Sequence, residues 1–413
     1  MLNPRRTLAY GLLALALALP ATPASAREQG GDALRDAVAF AKTKVYPCLV
    51  NISVVARQFT QGRETRGIGA GSGVIVSPAG HVVTNFHVAG DASRITCKLP
   101  TGESIDADIV CKDPLTDLCV IKLRMDQRSD PNKPIPFAPI GDSDAVRVGD
   151  HVMAMGNPGG LTSTVTLGIV SNTARVFTNF TGSAIQTFDF GGGQVTGIFN
   201  QWMQHDALIL PGNSGGPLVS LKGEVIGINT RGGGGTGFAV PASTVKKVLA
   251  QALTWGEVRR GWLGMSVVPV NHMDRSKGAL VSSVFPDGPA AKAGIKPGDV
   301  ILRIGEDDIS VTGFSDVPLF LAKVASLPRN KAIAVEFERD GDMNGVEVTV
   351  APMEKYVGEE KVVRAWSVTA MGITRPMAFS RRYPNTQGVV ITSIRPGSAP
   401  DKAKPAIQNG DVI

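Results

Sequence analysis

Glycines surround Ser214 in the segment 212–218, which reads GNSGGPL. Glycines let a backbone turn sharply, expose a serine hydroxyl and aim N–H groups at a developing oxyanion. A serine hydroxyl is a weak nucleophile until a neighbouring base removes its proton. The segment therefore predicts a nucleophilic serine, and the alternative is a plain glycine turn that holds a solvated serine.

The same spacing also matches the nucleophile elbow of α/β-hydrolases. In that elbow a helix follows the serine directly, and the acid and the histidine of the triad come later in the chain. Here Pro217 and a strand-like stretch follow Ser214, and the only later histidine is His272, in a different predicted domain. The sequence therefore excludes the elbow.

His87 is the candidate general base among the five histidines. It ends a β-rich run, where a side chain can point into a cleft. Asp117 is the candidate acid of a Ser-His-Asp triad, because it opens an apolar strand that would bury its carboxylate against a histidine N–H. Asp113 precedes a proline and is expected to be an exposed turn residue. The order His87, Asp117, Ser214 is the chymotrypsin order.

Short apolar runs must position these residues. They extend from Leu49 to about Pro241 and are separated by Gly, Pro, Asp and Asn. This pattern predicts an all-β barrel or sandwich. Helical spacing occurs over Ala33–Lys44, before this region, and over Ser243–Ala252, after it.

An internal repeat follows the β-rich region. The stretch 281–286 (VSSVFP) resembles the stretch 391–396 (ITSIRP). The sequence GDVI occurs further along in each copy, at 298–301 and at 410–413. Their offset of about 110 residues predicts two tandem modules. The second copy stops at Ile413, where its next strand should begin, and it lacks about 50 residues of the first. We therefore expect a fragment of a longer protein, or a module that a partner completes.

A secretory signal peptide is predicted over residues 1–26. Arg5 and Arg6 supply its positive charge, Thr7–Leu19 is its apolar stretch, and Ala24-Ser25-Ala26 is its cleavage signal. Thirteen residues are too few to span a bilayer core about 30 Å thick. Cleavage would lower the net charge from +6 to +4, which is too mild to indicate a nucleic-acid partner.

Composition and cysteine content further restrict the class of protein. Hydrophobic residues make up 43% of the 413 residues and charged residues 19%, which excludes a predominantly disordered chain. Four cysteines (Cys48, Cys97, Cys111 and Cys119) could form up to two disulfides in an exported protein or remain buried thiols. None lies in a C-x-x-C pair, and no metal or organic cofactor is expected.

Residues from about 37 to 355 resemble an HtrA/Deg-family serine endoprotease followed by a PDZ domain, and 366–413 resembles the start of a second PDZ domain. The matching stretches are 71–76 (GSGVIV), 84–88 (TNFHV), 113–118 (DPLTDL), 156–158 (GNP), 212–218 and 237–241 (GFAVP). The resemblance implies two six-stranded antiparallel β-barrels with the triad between them, and then α+β PDZ domains. We expect the protease at 27–250, the first PDZ domain at 259–353 and a truncated second one at 366–413.

The resemblance also implies an activity. Ser214 would attack the peptide, His87 would transfer the proton and Asp117 would orient the histidine. Backbone N–H groups of Gly212 and Ser214, with Asn213 as a further candidate, would form the oxyanion hole. The family cleaves misfolded or unfolded exported proteins in the periplasm or cell envelope without ATP, as a trimer or a larger homo-oligomer. The sequence contains no P-loop, in agreement with ATP independence.

The alternative is a PDZ-based peptide-binding or chaperone protein whose protease fold is inactive. Two departures from the family leave regulation and substrate preference open: an insertion at Phe177–Gln201 and a glycine-rich loop at Arg231–Gly235. Leu208 occupies the position where trypsin-like specificity needs an acid. Small or medium aliphatic residues are therefore favoured over Lys and Arg at the cleavage site, unless 208–210 simply fill the core.

Two short segments resemble the carboxylate-binding loops of PDZ domains. A free backbone nest in such a loop captures a peptide C-terminus while the peptide adds a strand to a sheet edge. The predicted peptide-binding residues are Trp262, Leu263, Gly264 and Met265 in the first module and Met371, Gly372 and Ile373 in the second.

Overall fold

The computed structural model describes residues 24–156, 164–178, 186–189, 195–273 and 275–413. Most of the predicted signal peptide, residues 1–23, lies outside this part. Helix α1 (Ala24–Val45) comes first and contains the helix predicted over Ala33–Lys44. No helix of the described residues is long and apolar enough to cross a membrane.

The first β-barrel has six antiparallel strands that close in the order β1-β2-β3-β6-β5-β4. The strands are β1 (Leu49–Thr60), β2 (Arg63–Ile75), β3 (His81–Thr84), β4 (Ala92–Lys98), β5 (Ser104–Asp113) and β6 (Leu118–Leu123). The short helix α2 (Phe86–Ala89) follows β3. Five of the six side chains of β6 are buried, which explains why its sequence is a continuous apolar run rather than an alternating one.

The second β-barrel also has six antiparallel strands, in the order β11-β14-β13-β12-β7-β8. They are β7 (His151–Gly156), β8 (Thr164–Arg175), β11 (Trp202–His205), β12 (Pro217–Ser220), β13 (Val225–Gly233) and β14 (Thr236–Pro241). Between β8 and β11, the strands β9 (Phe188–Asp189) and β10 (Val195–Thr196) form a separate pair. The predicted pair of six-stranded barrels is confirmed. A strand, β12, follows Ser214, as the exclusion of the elbow requires.

Helix α3 (Ala242–Trp255) ends the barrel region, and an α+β module follows. Its sheet has the order β16-β17-β18-β20-β21, with β19 paired to β18, while β15 pairs with β22. The bounds are β15 (Gly261–Trp262), β16 (Met265–Val268), β17 (Ala279–Val284), α4 (Pro289–Lys292), β18 (Val300–Ile304), β19 (Asp307–Asp308), α5 (Val317–Ser326), β20 (Ala332–Arg339), β21 (Asp342–Thr349) and β22 (Ala351–Pro352). The module has its own hydrophobic core, as an independent domain should.

The C-terminal segment has the three-stranded sheet β23-β24-β25. Its elements are β23 (Glu360–Val363), β24 (Val368–Gly372), α6 (Arg375–Arg381), β25 (Val389–Ile394) and α7 (Ala399–Lys402). The strand β25 and the helix α7 follow each other as β17 and α4 do, about 110 residues earlier. The second PDZ domain stays a prediction, and this order of elements agrees with it.

All four cysteines are buried and free. Burial raises the pKa of Cys48 and that of Cys97 to about 12 and the pKa of Cys111 to about 11, because a thiolate loses its hydration in an apolar surrounding. The sequence was compatible with disulfides and with buried thiols, and the structure contains buried thiols. Protonated thiols of this kind are poor nucleophiles.

Candidate active site

His87 and Asp117 contact each other directly. His87 lies in α2, just after β3, and Asp117 directly precedes β6, which pairs with β3. Nδ1 of His87 is 2.9 Å from Oδ2 and 3.0 Å from Oδ1 of Asp117. The Asp117 side chain is fully buried, whereas 30% of the His87 side chain is exposed. The pair thus joins a buried carboxylate to an imidazole that reaches solvent.

The turn before β6 gives Asp117 its position. Residues 114–116 form one short helical turn, and Asp117 has the left-handed φ of +58°, a conformation that Asp tolerates better than most residues. The Asp117 carbonyl accepts hydrogen bonds from the Asn85 side chain at 3.0 Å and from the Phe86 N–H at 3.1 Å. The segment that leads into His87 therefore also fixes the backbone of the acid.

Ser214 lies beyond a β-turn between β11 and β12. The Asn213 N–H donates to the Leu210 carbonyl at 2.9 Å, which closes the turn Leu210-Pro211-Gly212-Asn213. Gly212 has a φ of +106°. A type II turn places proline second and a glycine with positive φ third, so the sequence suits the observed conformation.

The predicted oxyanion hole is revised at one residue. Within the described part of the chain, the N–H groups of Gly212 and Ser214 donate no backbone hydrogen bond. The Asn213 N–H is occupied by Leu210, so Asn213 is not available as the third donor. Gly212 and Ser214 remain the candidates.

Thr230 in β13 connects the candidate acid, Asp117, to the candidate nucleophile, Ser214. Its hydroxyl donates a short hydrogen bond to Oδ2 of Asp117, and its carbonyl accepts one from Oγ of Ser214 at 3.0 Å. The structure thus brings Ser214, His87 and Asp117 together at one site. Sequence reasoning missed Thr230, because a threonine inside a strand is ordinary.

The insertion predicted at Phe177–Gln201 makes hydrogen bonds to the turn that precedes Asp117. The Thr196 hydroxyl donates to the Leu115 carbonyl at 3.0 Å, and the Asn200 side chain donates to the Thr116 carbonyl at 3.3 Å. Both donors are buried. The insertion therefore helps to hold the turn that ends at the candidate acid.

The insertion also contacts the glycine-rich loop. The guanidinium carbon of Arg231 lies 3.6 Å from the centre of the Phe188 ring, within the range of a cation–π interaction. Arg231 belongs to β13 and Phe188 to β9. The two regions in which this chain departs from the family pattern are therefore in contact.

Asp113 is not the exposed turn residue that its Asp-Pro sequence predicts. Arg260 donates two hydrogen bonds to its carboxylate, at 2.9 and 2.6 Å. The Asp113 side chain is only 3% exposed and the Arg260 side chain 11%. The Thr116 hydroxyl also donates to Asp113 at 2.6 Å. The prediction was wrong because a residue 147 positions later in the chain covers the carboxylate.

We expect Arg260→Ala to destabilise the protein by about 3–5 kcal/mol, because it leaves the Asp113 carboxylate buried and unpaired. Urea unfolding measures the change. The matched control is Arg259→Ala, since Arg259 pairs with Glu257 at an exposed site and should cost less than about 1 kcal/mol. Equal losses in the two variants would contradict the buried-pair interpretation.

His205 is buried in the second barrel. Its side chain has no solvent exposure. Burial lowers its pKa to about 4, because the charged imidazolium would lose its hydration. His205 is therefore neutral in the folded protein at pH 7 and takes no part in the triad.

This burial predicts a pH-dependent stability. The unfolded chain binds a proton at His205 near pH 6.5 and the folded chain only near pH 4, so stability is complete above pH 6.5 and falls between these values. The loss should be on the order of 3 kcal/mol. Urea unfolding of wild type and His205→Gln from pH 7 to pH 4 measures it. A glutamine does not titrate, so identical slopes in both proteins would contradict the prediction.

Leu208 and Leu210 lie beside the nucleophile's turn and are 48% and 42% exposed. The carbonyl of Leu208 accepts a hydrogen bond from the Thr166 hydroxyl at 2.9 Å. These two side chains therefore do not fill the barrel core, whereas Ile209 packs against it. An aliphatic surface is thus present where a trypsin-like site would need an acid.

The predicted peptide-binding loop of the first module lies between β15 and β16. The carbonyls of Leu263 and Gly264 accept hydrogen bonds from Ala290 and Phe285, each at 2.8 Å. The N–H groups of Leu263 and Gly264 donate no backbone hydrogen bond to any described residue. Met265 begins β16, which lies at the edge of its sheet. Free donors and a sheet edge are the features that peptide capture requires.

The corresponding loop of the second module differs from the prediction. Met371 and Gly372 lie within β24, the central strand of its sheet. Met371 pairs with Glu360 on one side and Val390 on the other, and Ile373 follows the strand. Pairing on both sides leaves no free strand edge, so this segment does not have the open backbone predicted for it.

Trp262 marks a contact between the two modules. Its ring packs edge-on against Phe285 with 5.6 Å between the centroids, and the Arg375 guanidinium lies 5.6 Å from it. Phe285 also meets Phe379 of α6 at 6.0 Å. The predicted peptide-binding residue Trp262 therefore faces the C-terminal segment.

Comparison with known proteins agrees with this architecture. Residues 71–228 match the family model of the trypsin-like peptidase domain, and residues 261–350 match that of the PDZ domain. The HtrA-type protease AlgW, solved with a tripeptide, superimposes with a TM-score of 0.64 at 32% identity, over 77% of this chain and 97% of that one. Fold and site define a chymotrypsin-like serine protease domain joined to a PDZ domain.

Two curated relatives extend this comparison. The probable periplasmic serine endoprotease DegP-like of Brucella suis biovar 1 is 37% identical over 84% of this chain, which spans 65% of the relative's length. The periplasmic serine endoprotease DegP of Salmonella typhimurium is 35% identical over 85% of this chain and 69% of its own. The chain belongs to the HtrA/Deg family of serine endoproteases.

Proposed function

We propose that this protein is a serine endopeptidase of the periplasm that cleaves unfolded or misfolded proteins. The observation that carries the proposal is the contact between the buried Asp117 carboxylate and His87, within one site that also holds Ser214. A buried acid, a histidine that reaches solvent and a serine on a glycine turn are the parts of an acyl-transfer site.

The three residues divide the chemistry between them. The Asp117 carboxylate accepts a hydrogen bond from the N–H at Nδ1 of His87, which leaves Nε2 as the basic nitrogen. The Ser214 hydroxyl donates to Thr230 in this structure, and rotation about its Cα–Cβ bond directs it to the histidine instead. His87 then takes the serine proton as Oγ attacks the scissile carbonyl, and returns it to the leaving amine. Water hydrolyses the acyl-enzyme by the same sequence.

The N–H groups of Gly212 and Ser214 stabilise the oxyanion of the tetrahedral intermediate. Neither group donates a backbone hydrogen bond to another described residue, so both are free to bind substrate. Donors that are already oriented need no reorganisation during the reaction. The exposed Leu208 and Leu210 favour small or medium aliphatic side chains at the cleavage site.

The PDZ domain binds peptide C-termini or exposed hydrophobic segments. Such a segment would add a strand to the edge of β16, and the free N–H groups of Leu263 and Gly264 would bind its carboxylate. Residues 27–250 form the protease, 259–353 the first PDZ domain and 366–413 part of a second. The protein is exported by the signal peptide 1–26, works without ATP and assembles as a homotrimer or a multiple of it.

Casein digestion tests the proposal. The purified protein should degrade unfolded casein without ATP and lose this activity after stoichiometric treatment with a fluorophosphonate, which phosphonylates activated serines with release of fluoride. Casein incubated with heat-inactivated protein serves as the control, because it shows which casein fragments are present without digestion. Digestion that persists after complete fluorophosphonate labelling, or no digestion by the folded protein, would reject it.

A further inference from the structure

A buried serine of the first barrel binds the turn that carries the nucleophile. Ser72 lies in β2 and has no solvent exposure. Its hydroxyl donates to the Gly212 carbonyl at 2.6 Å, and its backbone N–H donates to the Ser214 carbonyl at 2.8 Å. One residue thus holds both residues whose N–H groups form the proposed oxyanion hole.

The bond to Gly212 fixes the peptide unit that joins Gly212 to Asn213. The N–H of that unit donates to the Leu210 carbonyl at 2.9 Å. Because the C=O and N–H of a planar trans peptide point in opposite directions, Ser72 on one side and Leu210 on the other set its plane. The N–H groups of Gly212 and Ser214 belong to the units immediately before and after it, so their directions depend on this plane.

The turn itself supplies little resistance to rotation. Gly212 has a φ of +106°, and glycine adopts positive and negative φ about equally readily. A turn of this sequence can therefore exchange between conformations in which the hole is formed and lost. The bond from Ser72 selects one of them.

Glycines allow the strand, the turn and the hydroxyl to approach closely. A Cβ on Gly71 would lie 3.1 Å from the Ser214 carbonyl oxygen and 2.6 Å from Val88. A Cβ on Gly156, at the end of β7, would lie 3.1 Å from the Ser72 hydroxyl. The two barrels thus leave room at this point for a hydroxyl and little more.

We propose that Ser72 is a positioning residue for the oxyanion hole: its hydroxyl holds the Gly212 carbonyl and thereby keeps both N–H donors directed at the substrate. The proposal rests on the proposed function as a serine endopeptidase. Ser72 does not touch the reacting atoms, so its removal should reduce transition-state stabilisation and leave substrate binding unchanged.

Two substitutions separate the hydrogen bond from the volume of the side chain. Ser72→Ala deletes the hydroxyl and leaves a small void, whereas Ser72→Cys fills the site with a slightly larger sulfur atom that is only a weak donor. For a chromogenic peptide amide we expect kcat to fall about 10- to 100-fold in both variants, less than the loss for a deleted oxyanion donor, with KM changed by less than about twofold. The inhibition constant of a peptide boronate, which places a tetrahedral oxygen in the hole, should rise by the same factor as kcat falls.

Thr84→Val is the matched control. It removes another buried hydroxyl from the same region, one that donates to the Ser72 carbonyl at 2.7 Å and not to the nucleophile's turn. Fluorophosphonate titration gives kcat per active site and so corrects for misfolded protein; if Ser72→Ala does not fold, Ser72→Cys decides. A kcat within about twofold of wild type, or an equal loss in Thr84→Val, would overturn the proposal. Wild type that does not cleave the peptide would instead reject the proposed function.

Discussion

Ser214→Ala should lower peptide hydrolysis about 10⁶-fold, because the attacking oxygen is removed and only the binding and oxyanion contributions remain. The substitution deletes one hydroxyl, whose hydrogen bond in this structure is to the Thr230 carbonyl. We therefore expect the thermal unfolding temperature to stay close to that of wild type. Initial rates on casein and on a chromogenic peptide measure the loss.

Ser220→Ala is the matched control for this variant. Ser220 lies in the same barrel, at the end of β12, and among the described residues its hydroxyl accepts a hydrogen bond only from the Lys222 N–H in the turn that follows. It should digest casein at the wild-type rate. Equal activity in Ser214→Ala and wild type would show that another residue is the nucleophile.

Asp117→Asn should lower kcat about 10⁴-fold with little change in KM. An amide at this position can donate its N–H₂ towards Nδ1 of His87, which favours the tautomer that carries its proton on Nε2 and cannot act as the base. The buried Thr230 hydroxyl also loses part of its acceptor. Steady-state kinetics with a peptide substrate from pH 6 to pH 9 measures both constants.

Asp108→Asn provides the control for the change from carboxylate to amide. Asp108 lies in β5 of the same barrel and pairs with Arg124 at an exposed site. Its substitution should leave kcat unchanged. If Asp117→Asn retained more than about a tenth of the wild-type kcat, Asp117 would not be the residue that orients the histidine.

That Ser214, His87 and Asp117 lie at one site could be predicted because chemistry restricts the residue types of a triad. Few residues can act as nucleophile, base and acid, and the motifs around Ser214, His87 and Asp117 are specific. The barrels could be predicted because their strands are apolar runs separated by turn residues. Each of these signals lies within a few consecutive residues.

Contacts between distant residues could not be predicted. The Asp-Pro sequence correctly indicates a turn at Asp113, but its burial depends on Arg260, which lies 147 positions later, at the start of the predicted first PDZ domain. Thr230 and Ser72 have ordinary local sequences, and each role comes from a partner in the other barrel, Asp117 for Thr230 and Gly212 for Ser72. For Met371 an apolar-Gly-apolar string is equally compatible with a loop and with the central strand that the structure contains.

The proposed function depends on Ser214 being an activated nucleophile. Mass spectrometry of the protein after treatment with a fluorophosphonate tests it most directly, with peptide mapping to locate the adduct. We expect one adduct per chain, located on Ser214, and none in Ser214→Ala or after denaturation. An adduct on a different serine, or a folded wild-type protein that stays unlabelled, would contradict the account.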